Sequence, residues 1–199
     1  MRRLKIKMTE DFRRLNIHFD IDLIREAYNT AVNNIGFSGD LVNCISVTHC
    51  NSSDNERGIF WTMNKNYEEV QVERFVNEEA YRVFEPLLMK TYLKTVYDVL
   101  SEHFRIGRVR ILKLDTRSSL SYHRDPEARL HIPIITNPGS LMIVDKQVYH
   151  MKADGAVYYV DTTKYHTALN GGSEPRVHLV ATILDDNKEE ELYEVYGGD

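Results

Sequence analysis

The sequence has few of the features that mark several common classes of protein. It contains only two cysteines, Cys44 and Cys50, which is too few for a disulfide scaffold and is not the spacing of paired zinc ligands. No segment approaches the roughly 20 consecutive apolar residues that cross a bilayer. The basic start of the chain is not followed by an apolar run, so we expect no secretory signal and a cytoplasmic protein.

An excess of positive charge is also missing. The net charge of the 199 residues is −5, and residues 185–199 alone hold seven acids and one lysine, a balance of −6. The remaining residues 1–184 therefore carry a balance near +1, which argues against a nucleic-acid-binding module. No repeat or linker divides them, so we predict one domain over 1–184 and a solvated acidic tail over 185–199.

The apolar periodicity changes along the chain. Residues 21–35 and 78–103 have the spacing of helices, with Asp20 as the N-cap of the first and Pro86 as a kink or break in the second. Weaker strand patterns cover 41–49, 57–64 and 68–76. After His103 the period becomes two, and short strands are predicted at 108–114, 129–135, 141–144, 156–160 and 176–183. This succession predicts a β-sandwich or barrel with the long helix on its outer face.

A histidine and carboxylate pattern lies among these strands. His123 and Asp125 are two residues apart, so on an extended chain they share a face and Arg124 points away. His166 follows 41 residues after Asp125, beyond the predicted strand at 156–160. Two imidazoles and one carboxylate form the facial triad of non-haem Fe(II) oxygenases. A second pattern of this kind, at His18 and Asp20, precedes a helix and is interpreted as a strand end and a helix cap.

Two strands add cationic side chains to the predicted inner face. Arg176 opens the last strand and shares a face with His178, while Arg129 and His131 share a face of an earlier strand. A guanidinium there can hold a carboxylate through two parallel hydrogen bonds. A buried charge needs a partner, and a bound dicarboxylate would supply one. Further candidates for contacts with the substrate or around the ligands are Ser121, Tyr122, Asn170 and His178.

Three segments together resemble a known family. HRDPEARLHIPI, DTTKYHTALN and PRVHLVATI are similar, in order and spacing, to segments of the aspartyl/asparaginyl β-hydroxylase family of 2-oxoglutarate- and Fe(II)-dependent oxygenases, which includes bacterial free-proline hydroxylases. The resemblance covers about residues 105–184. It implies a double-stranded β-helix, a cupin-like jelly-roll barrel with N-terminal helices on its outer face. The barrel core would then be 105–184, with 1–104 as a support region of helices and strands.

The resemblance also implies roles for individual residues. His123, Asp125 and His166 would bind Fe(II), Arg176 would hold the distal carboxylate of 2-oxoglutarate, and Arg129 and His131 would lie near the cosubstrate and substrate carboxylates. Asp125 is a departure from the best-known animal members, which lack this carboxylate, and it argues against a halogenase.

The expected activity is hydroxylation of an unactivated C–H bond with O2 as oxidant, releasing succinate and CO2. The substrate would be an amino acid, or a residue of a peptide or protein, that bears a carboxylate or an amide, with no membrane or nucleic-acid partner. Two alternatives remain open from the sequence. One is a cupin-like metal enzyme that does not use 2-oxoglutarate, and the other is a non-catalytic ligand-binding barrel.

Overall fold

The structure, a computed structural model, describes residues 11–39, 43–50, 60–72 and 77–184. Within those ranges there are two α-helices, α1 (Ile21–Asn34) and α2 (Tyr92–His103), and two short 3-10 turns, Glu78–Ala80 and Pro86–Leu88. The strands are β1 (Phe12–His18), β2 (Asn43–Ser46), β3 (Thr48–His49), β4 (Phe60–Met63), β5 (Glu69–Val72), β6 (Val83–Phe84), β7 (Ile106–Leu114), β8 (Ser118–Ser119), β9 (His123–Arg124), β10 (Arg129–Ile135), β11 (Ser140–Val144), β12 (Gln147–Tyr149), β13 (Ala156–Val160), β14 (His166–Asn170) and β15 (Arg176–Ile183).

Two antiparallel sheets face each other to form a jelly-roll barrel. The strand order is β1-β13-β10-β15-β7-β2 in one sheet, which we call the major sheet, and β12-β11-β14-β9-β4-β5 in the other. Apolar side chains from both sheets are buried together between them, among them Met142, Val144, Ala156, Tyr158, Val160 and Ala168. The prediction of a mainly β, cupin-like barrel with flanking helices is confirmed.

Alternation along the strands gives the major sheet an apolar outer face and an inner face that carries both apolar and polar side chains. On β15, Val177, Leu179 and Ala181 are buried in the main hydrophobic core, which the two helices cover from outside. Arg176 and His178 alternate with these residues along the strand and therefore point to the opposite face, into the barrel. One strand thus contributes to the core and to the barrel interior at alternate positions.

Helix α1 follows its sequence signals closely. The Asp20 side chain caps it by accepting hydrogen bonds from the backbone N–H groups of Asp22 and Leu23. Three buried residues on one face, Ile24, Ala27 and Ala31, pack against the major sheet. His18 ends β1, so the early histidine and aspartate pair is a strand end and a cap, as predicted.

The predicted helix over 78–103 is wrong for its first half. The α-helix covers only Tyr92–His103, where Leu93, Val96 and Leu100 are buried at helical spacing. Pro86 instead opens a 3-10 turn capped by the Glu85 side chain, because a proline has no N–H to donate inside a helix. The apolar residues before it reach the core from turns and from β6, which pairs with β3.

The other predicted strands are present in the structure, although one is divided and some of their residues lie outside the described ranges. The predicted strand at 41–49 is two strands, β2 and β3. Residues 41–42, 57–59 and 73–76 of three predicted strands, and the acidic tail at 185–199, lie outside the described residues. Strands β1, β8, β9, β12 and β14 had no period-two signal. Since β1 and β2 lie at the edges of the major sheet, residues before 104 extend the barrel sheets.

No helix in the part of the chain that the structure describes is long and apolar enough to cross a membrane.

A core substitution tests this division of faces. Ile132 on β10 is 1% exposed and belongs to the core between the major sheet and the helices. We expect Ile132→Ala to lower the free energy of unfolding by about 2–5 kcal/mol, because it leaves a cavity that the sheet cannot close. Urea denaturation measures this, with Val148→Ala as control, since Val148 is 59% exposed. Equal stability of the two variants would contradict the assignment.

Candidate functional site

Neighbouring strands bring the three predicted metal ligands together. His123 on β9 and His166 on β14 are direct partners across the antiparallel pair. Asp125 follows β9, and its backbone N–H donates to the Thr162 carbonyl at 2.8 Å. One ligand atom from each of the three residues lies within 4.8 Å of the others, and all three side chains are buried.

Backbone carbonyls fix both imidazole rings in the same way. His123 Nδ1 lies 2.7 Å from the Ser121 carbonyl oxygen, and His166 Nδ1 lies 2.9 Å from that of Lys164. Because a carbonyl oxygen only accepts, each Nδ1 must carry the proton. The lone pair is then on Nε2, as in a metal-binding imidazole whose other nitrogen donates to a backbone carbonyl.

The charges of the cluster suit a cation. Burial would raise the pKa of Asp125, but the charge of Arg129 and the contact with His166 lower it to about 2. Burial and the neighbouring His166 lower the pKa of His123 to about 4. A deprotonated carboxylate and a neutral imidazole are the forms that bind metals.

The carboxylate still has capacity for a ligand. Asp125 Oδ2 lies 2.8 Å from Arg129 Nη2 and 3.3 Å from His166 Nε2. Neither contact has the alignment of a hydrogen bond, so this buried oxygen accepts none. Two imidazole nitrogens and one carboxylate oxygen converging in this way fit a non-haem Fe(II) ion.

The facing sheet presents buried donors without partners. Arg176 is 5% exposed, and no hydrogen bond reaches its Nη2; burial lowers its pKa to about 10. His131 and His178 pack edge to face, 5.7 Å apart, and all four of their ring nitrogens are buried without hydrogen bonds. Burial and the Arg176 charge place the pKa of both histidines well below the ordinary value. An anion with several acceptor oxygens fits this interior.

The remaining candidates lie around the ligands. Ser121 is exposed and contributes its carbonyl to His123. Tyr122 is 41% exposed, and its ring stacks on Tyr165 with centroids 5.3 Å apart. Asn170 is fully buried.

The side-chain amide of Asn170 is occupied by the protein. Its Nδ2 donates to the carbonyls of Leu114, Asp115 and Glu174, and its Oδ1 accepts from Asn137 and Gly172. These contacts fix the turn after β14 and leave the amide nothing to offer a substrate.

Comparison with known proteins supports the same chemistry. The sequence model of the aspartyl/asparaginyl beta-hydroxylase family matches residues 64–185, more than half of the chain. The chain belongs to this family. It is therefore related to 2-oxoglutarate- and Fe(II)-dependent hydroxylases, and the recognition made from three short segments is confirmed.

Solved structures support the fold of this β-hydroxylase family member. An oxidoreductase of the 2OG-Fe(II) oxygenase family from Burkholderia pseudomallei has a TM-score of 0.56 at 12% identity, covering 86% of this chain and 84% of its own. A viral collagen prolyl hydroxylase from Paramecium bursaria Chlorella virus 1, solved with 2OG, has a TM-score of 0.52 at 11% identity, covering 89% and 98%. At these identities the likeness establishes the fold alone. No curated protein matches significantly.

Glu69 on β5 connects the two ligand strands from outside. Arg124, which stands between the ligands His123 and Asp125, donates to both of its carboxylate oxygens at 2.8 and 2.9 Å. The hydroxyl of Tyr165, the residue before His166, donates to the same carboxylate at 2.9 Å. The hydrogen bonds from Arg124 and Tyr165 lower the pKa of Glu69 to about 2. We call this set of three side chains the Glu69 clamp.

Only one member of the clamp, Arg124, was predictable in its orientation from the sequence. Arg124 points away from the triad, as its position between the two ligands predicts, and its guanidinium lies 4.2 Å above the Trp61 ring. Glu69 lies 55 residues earlier, and no local pattern distinguishes it from other strand glutamates.

The clamp should influence the metal affinity of this β-hydroxylase family member. Glu69→Gln removes the charge that both Arg124 and Tyr165 contact, so the ligand strands lose a shared anchor. We expect the affinity for Co(II) to fall about tenfold, the effect typical of a lost outer-shell contact. Titration of Co(II) absorption measures it, with the neighbouring Glu68→Gln as control. Equal affinity in the two variants would show that the clamp does not position the ligands.

Proposed function

We propose that the protein is a dioxygenase that uses Fe(II), 2-oxoglutarate and O2 to hydroxylate an unactivated C–H bond of an amino acid, free or within a peptide. One observation carries this proposal. A buried triad of two histidines and an aspartate faces a buried arginine, Arg176, that has an unsatisfied donor. The triad suits the metal and the arginine suits the far carboxylate of a diacid, within one barrel.

The metal would be held by His123, Asp125 and His166 through two Nε2 atoms and a carboxylate oxygen. The orientation of both rings by backbone carbonyls supports this assignment. A facial arrangement leaves three positions for cosubstrate and O2. Bound there, Fe(II) and 2-oxoglutarate would supply the oxidative decarboxylation to succinate and CO2 that activates O2.

The cosubstrate would lie along the inner face of the major sheet. Arg176 would donate to its distal carboxylate, and His131 and His178, both neutral and without hydrogen bonds, offer further contacts beside it. Arg129 lies closer to the metal end, since its Nη2 is 2.8 Å from Asp125. There it would orient the triad carboxylate and neutralise negative charge near the cosubstrate.

Burial of these groups contributes to the chemistry in its own right. The triad residues and Arg176 are each at most 8% exposed, so they lie where water is largely excluded. Fixed charges act more strongly in such a site than in water and need no rearrangement during reaction. Exclusion of water also protects reactive species from side reactions.

The proposal also covers the domain organisation and the cellular location. Residues 1–184 would form one catalytic domain, with 105–184 as the barrel core. We also propose a cytoplasmic location, with which the absence of a disulfide among the described residues is consistent.

The alternative activities explain less of the interior. A cupin-like metal enzyme without 2-oxoglutarate would use the triad but leave Arg176 buried without an anion. A non-catalytic barrel would give no reason for imidazoles held with their lone pairs converging on one carboxylate. No specific observation favours either.

A pair of histidine variants tests the assignment. Under anaerobic conditions the wild-type protein with Fe(II) and 2-oxoglutarate should show a weak visible charge-transfer band. His166→Ala should abolish the band, because one nitrogen ligand is lost. His18→Ala, the matching histidine of the other His-x-Asp pair, should retain it. No band in the wild type, together with no succinate formation in a substrate screen, would contradict the proposal.

A further inference from the structure

Arg110 is a barrel residue that has no role in the activity proposed above. It lies on β7 between Val109 and Ile111, both of which are buried in the main hydrophobic core outside the barrel. Its side chain therefore points into the barrel. On β15 its partner is Val180, and Val180 is also the partner of His131 on β10. Arg110 and His131 therefore lie in one row of the major sheet, two strands or about 10 Å apart.

Two arginines near Arg110 have partners, whereas no described residue pairs with Arg110. Arg108 pairs with Glu78 at 2.8 Å, and Arg129 lies 2.8 Å from Asp125. The guanidinium of Arg110 has no hydrogen bond or ion pair with any described residue, although it is partly buried. Burial and the repulsion from Arg108 and Arg129 lower its pKa to about 9. A cation in such a setting is costly to the fold unless an anion accompanies it.

Arg110 and Arg176 enter the barrel at different depths. Arg176 is the β15 partner of Leu114, whereas Arg110 is the partner of Val180, four residues further along. Four residues of an extended strand span about 13 Å. Arg129, which contacts Asp125, is the β15 partner of Thr182, only two residues from Val180, so Arg110 lies toward the metal end of the barrel. The two arginines are thus placed for two different anions.

The charge count of the interior leaves room for a second anion. Among the described residues, four arginines interact with or lie among three carboxylates: Arg108, Arg110, Arg129 and Arg176 against Glu78, Asp125 and Glu127. Fe(II) and 2-oxoglutarate carry equal and opposite charges and do not change the balance. Burial raises the pKa of Glu127 to about 7, so at least one positive charge remains, and the arginine without a partner among the described residues is Arg110.

We infer that Arg110 binds a carboxylate of the substrate and selects acidic substrates over their neutral counterparts; this inference rests on the proposed function. A guanidinium takes a carboxylate through two parallel hydrogen bonds. The group can be the α-carboxylate of a free amino acid or the side-chain carboxylate of an acidic residue in a peptide. Its position near the metal would place C–H bonds close to that carboxylate within reach of the oxidant.

Paired acid and amide probes test this inference on the full chain. The protein is loaded with Mn(II) and 2-oxoglutarate without O2, and the melting temperature is followed. The probes are the free L-amino acids with their amides, and N-acetyl-aspartate N-methylamide with its asparagine counterpart. We expect at least one acid to stabilise the loaded protein and its neutral partner not to do so. The pair that responds distinguishes a free amino acid from a peptide side chain.

Variants then assign the effect to Arg110. Arg110→Gln should weaken binding of the acid at least tenfold and leave the affinity for 2-oxoglutarate unchanged. Arg110→Lys should retain part of it, and Arg25→Gln, on the exposed side of α1, should retain all of it. The apo melting temperature of Arg110→Gln should not fall, because the variant removes an uncompensated charge. A structural arginine would instead destabilise the apo protein when replaced.

Failure of the inference can be told apart from failure of the proposed function. A wild type that binds 2-oxoglutarate but responds to no acid, or responds equally to acid and amide, overturns the role of Arg110. So does an Arg110→Gln variant with unchanged affinity for the acid. If Arg110→Gln does not fold, the acid–amide comparison on the wild type and on Arg110→Lys tests the inference in its place, and an Arg110→Lys variant that binds the acid as tightly as the wild type overturns it. A wild type that binds no 2-oxoglutarate in the presence of Mn(II) overturns the proposed function.

Discussion

The pairing of β9 with β14 is the constraint on which the site depends. It sets His123 directly opposite His166, so the separation of the two imidazoles is the spacing of adjacent strands. Asp125 continues from β9 and is attached by its backbone to Thr162, at the start of the segment that leads into β14. Because sheet hydrogen bonds hold the ligands, their geometry does not depend on a mobile loop.

The major sheet carries stability and recognition on opposite faces. Its outer face is apolar and is covered by α1 and α2. Its inner face holds Arg110, Arg176, His131 and His178, none of which finds a protein anion of its own. Such groups lower the stability of the empty barrel, and the core on the other side of the same strands offsets that cost. The arrangement fits a protein whose interior is completed by bound anions.

The sequence was informative where a local rule decides the structure. The alternation of RLHIPII and RVHLVATI correctly separated core residues from barrel residues, because side chains alternate along any strand. The Asp20 cap was readable for the same reason. The resemblance to a known family then connected His123, Asp125 and His166, which no local rule links. The triad and Arg176 could therefore be predicted from the sequence.

Other features depend on long-range contacts and were not predictable in this way. The two residues of β9 are too few to show a period, and their pairing with β14 exists only in the folded sheet. The segment before α2 has helical spacing, but Pro86 breaks it and its apolar residues reach the core through turns. Glu69 gains its role from Arg124 and Tyr165, far away in sequence. Arg110 lies on a predicted strand. Only the folded structure shows that Arg108 and Arg129 pair with carboxylates while no described residue pairs with Arg110.

The metal and cosubstrate assignments are tested most directly by a crystal structure of the full chain, from crystals grown without O2 in the presence of Mn(II) and 2-oxoglutarate. We expect the metal on His123 Nε2, an oxygen of Asp125 and His166 Nε2, with the distal carboxylate of 2-oxoglutarate on Arg176. A metal bound elsewhere, or a cosubstrate that leaves Arg176 without an anion, would contradict the account.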